Sequence, residues 1–275
     1  MNERISSAAN PLVKRIRLLA DRKHRQREGA FVVEGIQPVW RALEAGWQIE
    51  VLIVAPELLA GPAAAAMVAE QEAKGVRVAR LSPETFLRLS DRDGPSGLAA
   101  IVAGRQAGLR DLVVRPGSVF AALHRIGNPG NLGTIIRTVD AAGGAGVVLI
   151  GDTADPFAPA AVKASMGSLF AVEVARVPGA GPFFDWAAAN GVQVVATSGQ
   201  AGRDHWSTRY HPPLAILLGS EGDGLPDDLL ARADQRIRIP MTGTAESLNL
   251  AAAAAVLLYE VRRHAIGPPG GRPVP

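Results

Sequence analysis

The chain has no cysteine in 275 residues. That excludes disulfides, thiolate metal sites and cysteine nucleophiles, and it fits a reducing compartment such as the cytoplasm. Aromatic residues make up only 5 %; Trp40 and Trp47 lack the paired display of an RNA-stacking platform and are expected in the core. No apolar run approaches the roughly 20 residues that span a bilayer, which argues against a membrane partner. The first residues, Met1-Asn2-Glu3-Arg4-Ile5, lack the apolar core of a secretory signal. The five histidines are scattered without metal-ligand spacing, so no metal is expected, and His124, the one nearest the motifs below, is read as structural. The G-x-G-x-x-G spacing and acidic ribose partner of a nicotinamide site are also missing, which argues against an oxidoreductase.

What charge there is has an uneven distribution. The net value is +3, yet residues 1–30 hold eight basic side chains against three acidic ones, leaving the rest slightly acidic. Most basic residues are arginine, which suits planar contact with phosphate. On charge alone two readings stay open: a nucleic-acid contact through Lys14, Arg15, Arg17, Arg22, Lys23 and Arg25, or a solvated helix face.

The periodicity predicts two α/β halves. In the first, Asn10 and Pro11 open a helix over residues 10–20, followed by strands at 31–33, 49–54, 76–79 and 98–102, with helices between. Residues 106–117, polar and punctuated by Gly and Pro, read as a linker between a domain at 1–105 and another at 118–266. In the second half, strands are expected at 119–123, 146–150, 172–174, 192–196, 215–218 and 236–239. Helices are expected at about 131–142, 159–169, 182–190, 226–232 and 246–264. Strands this continuously apolar imply a parallel sheet covered on both faces. Residues 267–275 read as a disordered tail.

Three segments of the second half share one form: a strand ends, a Gly-rich turn follows and a helix begins. They are Asn128-Pro129-Gly130-Asn131-Leu132-Gly133-Thr134-Ile135-Ile136-Arg137-Thr138, Leu218-Gly219-Ser220-Glu221-Gly222-Asp223-Gly224-Leu225 and Ile239-Pro240-Met241-Thr242-Gly243-Thr244-Ala245-Glu246-Ser247-Leu248-Asn249-Leu250. Ligands of α/β sheets bind at such carboxyl ends, where helix N-termini and loop amides gather. Arg137, flanked by apolar neighbours, needs an anionic partner, either a carboxylate of the protein or a phosphate of a ligand. Glu221 is placed to pair with Arg137 or with a substrate hydroxyl.

In order and spacing these segments resemble the three motifs of the SpoU family, RNA ribose 2′-O-methyltransferases of the SPOUT superfamily. Lys163-Ala164-Ser165-Met166-Gly167 resembles a segment this family carries between its first two motifs. Phe31-Val32-Val33-Glu34-Gly35 and Pro95-Ser96-Gly97-Leu98-Ala99 resemble pieces of its accessory substrate-binding domain. The resemblance implies a small α/β RNA-binding domain followed by a parallel-sheet α/β domain with a deep trefoil knot, acting as a homodimer. It implies S-adenosylmethionine as cofactor, held by Gly219, Ile239 and Leu248, with Thr197, Leu218 and Met241 as further walls. It implies Arg137, Asn131, Glu221, Ser247 and Asn249 as catalytic residues. The substrate implied is structured RNA, ribosomal rather than transfer RNA because the accessory domain is large. The rival reading is a non-catalytic RNA-binding assembly factor on the same fold, but that predicts damaged motifs.

Overall fold

The computed structural model describes residues 4–90 and 94–266, which separate into two units. One comprises the chain up to Arg105 together with Asp155–Ala171; the other comprises Gln106–Ala154 and the chain from Val172 onward. The tail expected at 267–275 lies outside the described residues.

Caps set the helices of the first unit. The Asn10 side chain accepts from the Leu12 amide and Pro11 occupies the first turn of α1 (Pro11–Leu18). Asp21 accepts from Lys23 and His24 amides to start α2 (Arg22–Glu28), which Gly29 ends at φ 62°. Apolar periodicity could not reveal α2, because Arg-Lys-His-Arg-Gln-Arg-Glu contains no apolar residue; only its caps announce it. There follow β1 (Ala30–Glu34), α3 (Ile36–Glu44), β2 (Ile49–Val54), α4 (Pro62–Ala73), β3 (Val78–Arg80), α5 (Pro83–Leu87) and β4 (Leu98–Ala103). The strands form one sheet in the order β1-β4-β2-β3, with β4 antiparallel to both neighbours and β2 parallel to β3. Leu12, Ile16, Leu19, Ile53, Phe86 and Ile101 fill one core. Trp47 packs edge-on against Phe31 and Phe170, as expected of a core residue. Trp40 does not: it is 39 % exposed, and its indole N–H donates to Glu44 one turn along the helix.

The second unit is built on β5 (Val119–His124), α6 (Pro129–Ala141) and β6 (Gly146–Ile150). Next in the chain comes α7 (Pro159–Ser165), whose packing lies with the first unit. The sequence places residues 159–169 in the second half, but Phe157 stacks on Phe31 at 4.5 Å between ring centroids. The segment is drawn to the first unit's aromatic cluster. The remaining elements are β7 (Val174–Val177), α8 (Ala180–Ala189), β8 (Gln193–Thr197), β9 (Leu214–Leu218), α9 (Asp227–Arg232), β10 (Gln235–Ile237) and α10 (Leu250–Ile266). The strands make a six-stranded sheet in the order β10-β8-β9-β5-β6-β7, and every pairing is parallel. Residues 120–123, 147–150 and 214–217 are fully buried, as a parallel sheet covered on both faces requires. The segment expected as a linker is also ordered against this unit: Ala107 bridges to Ala175, and Leu112 is buried.

Strand order reverses between the neighbouring central strands β5 and β9. From β5 the chain moves outward through β6 and β7, while β9, β8 and β10 occupy the other side. Such a switch point opens a crevice at the strands' carboxyl ends, and the first two Gly-rich segments follow these two strands.

Candidate active site

The first segment enters α6 through its own cap. Asn128 accepts from the Asn131 amide at 3.1 Å, and Pro129 fits the first turn. Leu132, Ile135, Ile136 and Val139 face the core, which turns Arg137 outward to an exposed position. Arg137 forms no hydrogen bond or ion pair among the described residues. The carboxylate alternative of the sequence reading therefore finds no support: Glu221 pairs elsewhere.

The second segment is a tight loop. Ser220 and Gly224 exchange backbone hydrogen bonds at 3.2 and 3.1 Å, and the Ser220 hydroxyl accepts from the Asp223 amide. Gly219 is required by contact: a Cβ there would lie 2.1 Å from the Gly224 carbonyl carbon and 2.4 Å from the Leu225 nitrogen. Gly219→Ala must displace backbone, so it is expected to cost about 1–3 kcal/mol of stability and to weaken cofactor binding. An unchanged Tm together with an unchanged calorimetric Kd for S-adenosylmethionine would contradict this.

This loop holds Glu221 over α6, and the third segment completes a relay. The Asn131 side-chain amide donates to Glu221 Oε1 at 3.0 Å, and the Asn249 amide donates to Asn131 Oδ1 at 3.0 Å. The far oxygen of Asn249 accepts from Ala251 and Ala252 amides at the start of α10. Both amide orientations are fixed by the ends of this chain. A carboxylate can only accept, so Asn131 must turn its NH2 toward Glu221 and its oxygen toward Asn249. A helix start offers only N–H groups, so Asn249 must turn its oxygen to α10 and its NH2 to Asn131. Burial pushes the Glu221 carboxyl up, but hydrogen bonds from Asn131 and from backbone amides at Gly127 and Asn128 outweigh it, leaving the group below its ordinary value. Glu221 is therefore ionised at neutral pH, as the relay needs.

Asn249 caps α10, so that helix starts at Leu250, later than the expected 246. Ser247 lies in the exposed approach to it, without a side-chain hydrogen bond among the described residues. His124, ending β5, is half-buried, and its Nδ1 has no partner among the described residues. Burial and the adjacent Arg125 outweigh Asp228 and hold its imidazole below the ordinary value, so the ring is neutral at physiological pH.

Three of the positions expected to hold the cofactor lie at one end of the sheet. Ile237 pairs with Thr197, and Ala196 with Leu217, so Thr197, Leu218 and Ile239 lie near the carboxyl ends of three neighbouring strands. Thr197 Oγ1 donates to the Leu217 carbonyl, tying two of these strands. Beyond them, Met241 and Leu248 leave 37 % and 41 % of their surface uncovered. Apolar walls beside backbone polar groups fit an adenine and a thioether-bearing chain. Among the described residues no group of His, Cys, Asp or Glu is arranged to hold a metal ion, and no helix is long and apolar enough to cross a membrane.

The basic N-terminal residues divide. Lys14, Arg17, Arg22 and Lys23 are exposed. Arg15 is engaged by Glu28 at 2.8 Å and Glu50 at 2.7 Å, and Arg25 is buried against Asp155 at 2.7 Å. Arg25 also donates to the Leu19 and Ala20 carbonyls. Arg15 and Arg25, expected to touch phosphate, serve internal ion pairs.

A switch-point crevice, a polar relay between two helix starts and an exposed arginine without a partner among the described residues fit an α/β enzyme whose ligands lie at the carboxyl ends of its strands. The family model described as the SpoU rRNA Methylase family matches residues 118–259, more than half of the chain, and the MRM3-like substrate binding domain matches residues 10–100. The chain belongs to the SpoU rRNA methylase family and is an S-adenosylmethionine-dependent RNA methyltransferase. It is 33 % identical to the 23S rRNA (uridine(2479)-2′-O)-methyltransferase of Streptomyces viridochromogenes, over 90 % of this chain and 88 % of that one. It is 30 % identical to the 23S rRNA (guanosine(2553)-2′-O)-methyltransferase RlmP of Bacillus subtilis, over 94 % and 99 %. Among solved structures, the AdoMet-bound rRNA methyltransferase from Sinorhizobium meliloti superposes with a TM-score of 0.87 at 40 % identity, covering 95 % of this chain and 98 % of that one.

Proposed function

We propose that the chain methylates a ribose 2′-hydroxyl of ribosomal RNA in the cytoplasm, as a homodimer whose second unit carries a trefoil knot. The relay from Glu221 through Asn131 to Asn249, with Asn131 at the start of the helix α6 that carries unpaired Arg137, supports this reading. Every polar position of the three motifs is present, which a non-catalytic assembly factor does not need. The exposed α10 stripe of Ala252, Val256 and Tyr259, at helical spacing, supports a second copy as its cover.

Thr197, Leu218, Gly219, Ile239, Met241 and Leu248 would hold the cofactor, which would supply a methyl group on a positively charged sulfur that leaves as a neutral thioether when the carbon–sulfur bond breaks. A ribose hydroxyl is a poor acid, so the residues opposite must stabilise negative charge as its oxygen bonds to carbon. Arg137 keeps its own proton. It binds the adjacent phosphate and stabilises the developing oxyanion, while the hydroxyl proton passes to solvent. Asn131, Glu221 and Asn249 hold the floor of the site, and Ser247 orients the hydroxyl. In the first unit, Lys14, Arg17, Arg22 and Lys23 contact RNA phosphates.

Mapping 2′-O-methyl groups in ribosomal RNA from cells with and without the gene tests the reading. Loss of one ribosomal methyl group is expected; loss confined to transfer RNA, or no loss, overturns it. The relay makes a second prediction. Because Glu221 is held below its ordinary value, the folded state favours its ionised form. The order it provides is complete above about pH 4.3, the ordinary glutamate value, and is lost as pH falls through the lowered one. The pH–rate profile should therefore show no Glu221 step near neutrality. Glu221→Gln keeps one acceptor for Asn131 but turns an NH2 toward the Gly127 amide, and should slow transfer roughly 10²-fold at every pH. A wild-type rate in that variant would refute the relay's role.

A further inference from the structure

Residues 198–213 connect β8 to β9, and this loop is braced along the sheet's β10 edge. Arg238 donates its amide to the Arg203 carbonyl and accepts from the His205 amide, both at 2.9 Å, and its guanidinium pairs with Asp204 at 2.7 Å. Inside the loop, Ser207 and Thr208 hydroxyls donate to the Asp204 carbonyl, and the Tyr210 hydroxyl donates to the His205 carbonyl at 2.8 Å. His205, Thr208 and Tyr210 are buried. A loop held at so many points has a fixed outer face.

That outer face has an unusual composition. Trp206 leaves 54 % of its surface exposed and lies across the His205 ring at 4.7 Å between centroids. Arg203 and Arg209 flank it, and Arg236 projects from the adjacent strand; all three are exposed. None of the three makes a side-chain hydrogen bond or ion pair among the described residues. The Arg209 backbone is tied to β10 through Gln235, so Arg209 and Arg236 belong to the same edge. The acids beside this loop are engaged elsewhere: Asp204 by Arg238, Asp234 by the Val194 amide, and Glu260 by Arg263 and His264. An exposed indole on an edge that also carries three uncommitted guanidinium groups is poorly matched to water and well matched to a chain of alternating rings and phosphates.

We propose that Arg203, Trp206, Arg209 and Arg236 form an RNA-contacting platform on the second unit, with Trp206 stacking on an unpaired base and the arginines holding flanking phosphates. The ligand is single-stranded RNA, because paired bases are stacked on one another and present no free face. The inference rests on the methyltransferase reading for its choice of RNA. It concerns residues outside both the candidate active site and the basic N-terminal helices.

The test uses the full chain with oligoadenylate, an A-form RNA duplex and ribosomal RNA, reading tryptophan fluorescence and binding. Oligoadenylate should quench emission in the parent chain, and the quench should vanish in Trp206→Ala while calorimetric affinity for S-adenosylmethionine stays unchanged. Affinity for oligoadenylate should fall about tenfold or more in Trp206→Ala and recover in Trp206→Phe. In Arg203→Gln/Arg209→Gln, the slope of log affinity against log salt should flatten by roughly 1.4. Parent-like RNA affinity in Trp206→Ala, or equal quenching by the duplex, overturns the platform. A change of oligomeric state in Trp206→Ala with RNA affinity intact also overturns it, and marks the loop as a protein interface. Oligoadenylate binding that behaves as expected while no ribosomal ribose is methylated leaves the platform standing and refutes the functional reading instead.

Discussion

Arg137→Ala is expected to slow methyl transfer by roughly 10²–10³-fold while leaving affinity for S-adenosylmethionine unchanged. Arg137 is exposed on α6 with no partner among the described residues, so its removal leaves no buried charge uncompensated and should not disturb the fold. The positions proposed for the cofactor end or follow β8, β9 and β10, whereas Arg137 stands on the helix after β5. Single-turnover rates together with calorimetric titration separate the two effects. Arg137→Lys adds a discriminating case. If Arg137 acted as a base, a lysine that is neutral only at alkaline pH would restore the rate in a strongly pH-dependent way. As an electrostatic clamp, Arg137→Lys keeps a point charge but loses the planar fork, so it should retain an intermediate rate with the parent's pH profile. Full activity in Arg137→Ala refutes the assignment.

The parallel sheet was legible because its strands are uninterrupted apolar runs, and α1 because Asn-Pro starts it; the same pair starts α6 at Pro129, two residues before the expected 131. Helix α2 was not, since it is wholly polar and rests on capping by Asp21 and Gly29. Position along the chain misplaced residues 155–171: Phe157 joins the cluster around Phe31 and Trp47 across more than 100 residues of sequence, a contact that no local pattern records. At the site, residue types and spacing named Asn131, Glu221 and Asn249, but not their connection. That Glu221 meets Asn131 rather than Arg137 follows from the adjacency of β5 and β9, which is a property of topology. The two asparagine orientations then follow from hydrogen-bond chemistry alone. Charge counting was the weakest guide, because it cannot distinguish a guanidinium facing water from one facing a buried carboxylate.

That distinction carries the second large effect. Arg25→Ala is expected to destabilise the first unit by about 3–5 kcal/mol, whereas Arg17→Ala, on the preceding helix α1 and exposed, should leave stability unchanged. The Arg25 and Asp155 side chains are only 5 % and 12 % exposed. Removing the arginine strands a carboxylate in poor solvent and also deprives the Leu19 and Ala20 carbonyls of their donor. In a unit of this size the loss corresponds to a Tm lower by roughly 12–20 °C, readable by calorimetry or circular dichroism. Asp155→Asn is the companion variant: it keeps the shape and an acceptor but removes the charge, so it should fall between the parent and Arg25→Ala. RNA binding reverses the ranking. Arg17→Ala should weaken it and flatten its salt dependence, because one phosphate contact is lost. Asp155→Asn should leave RNA affinity at the parent level below its melting transition. If instead Arg25→Ala melts with the parent and loses RNA affinity, the buried ion pair is not what Arg25 is for, and the phosphate contact expected from charge alone is restored.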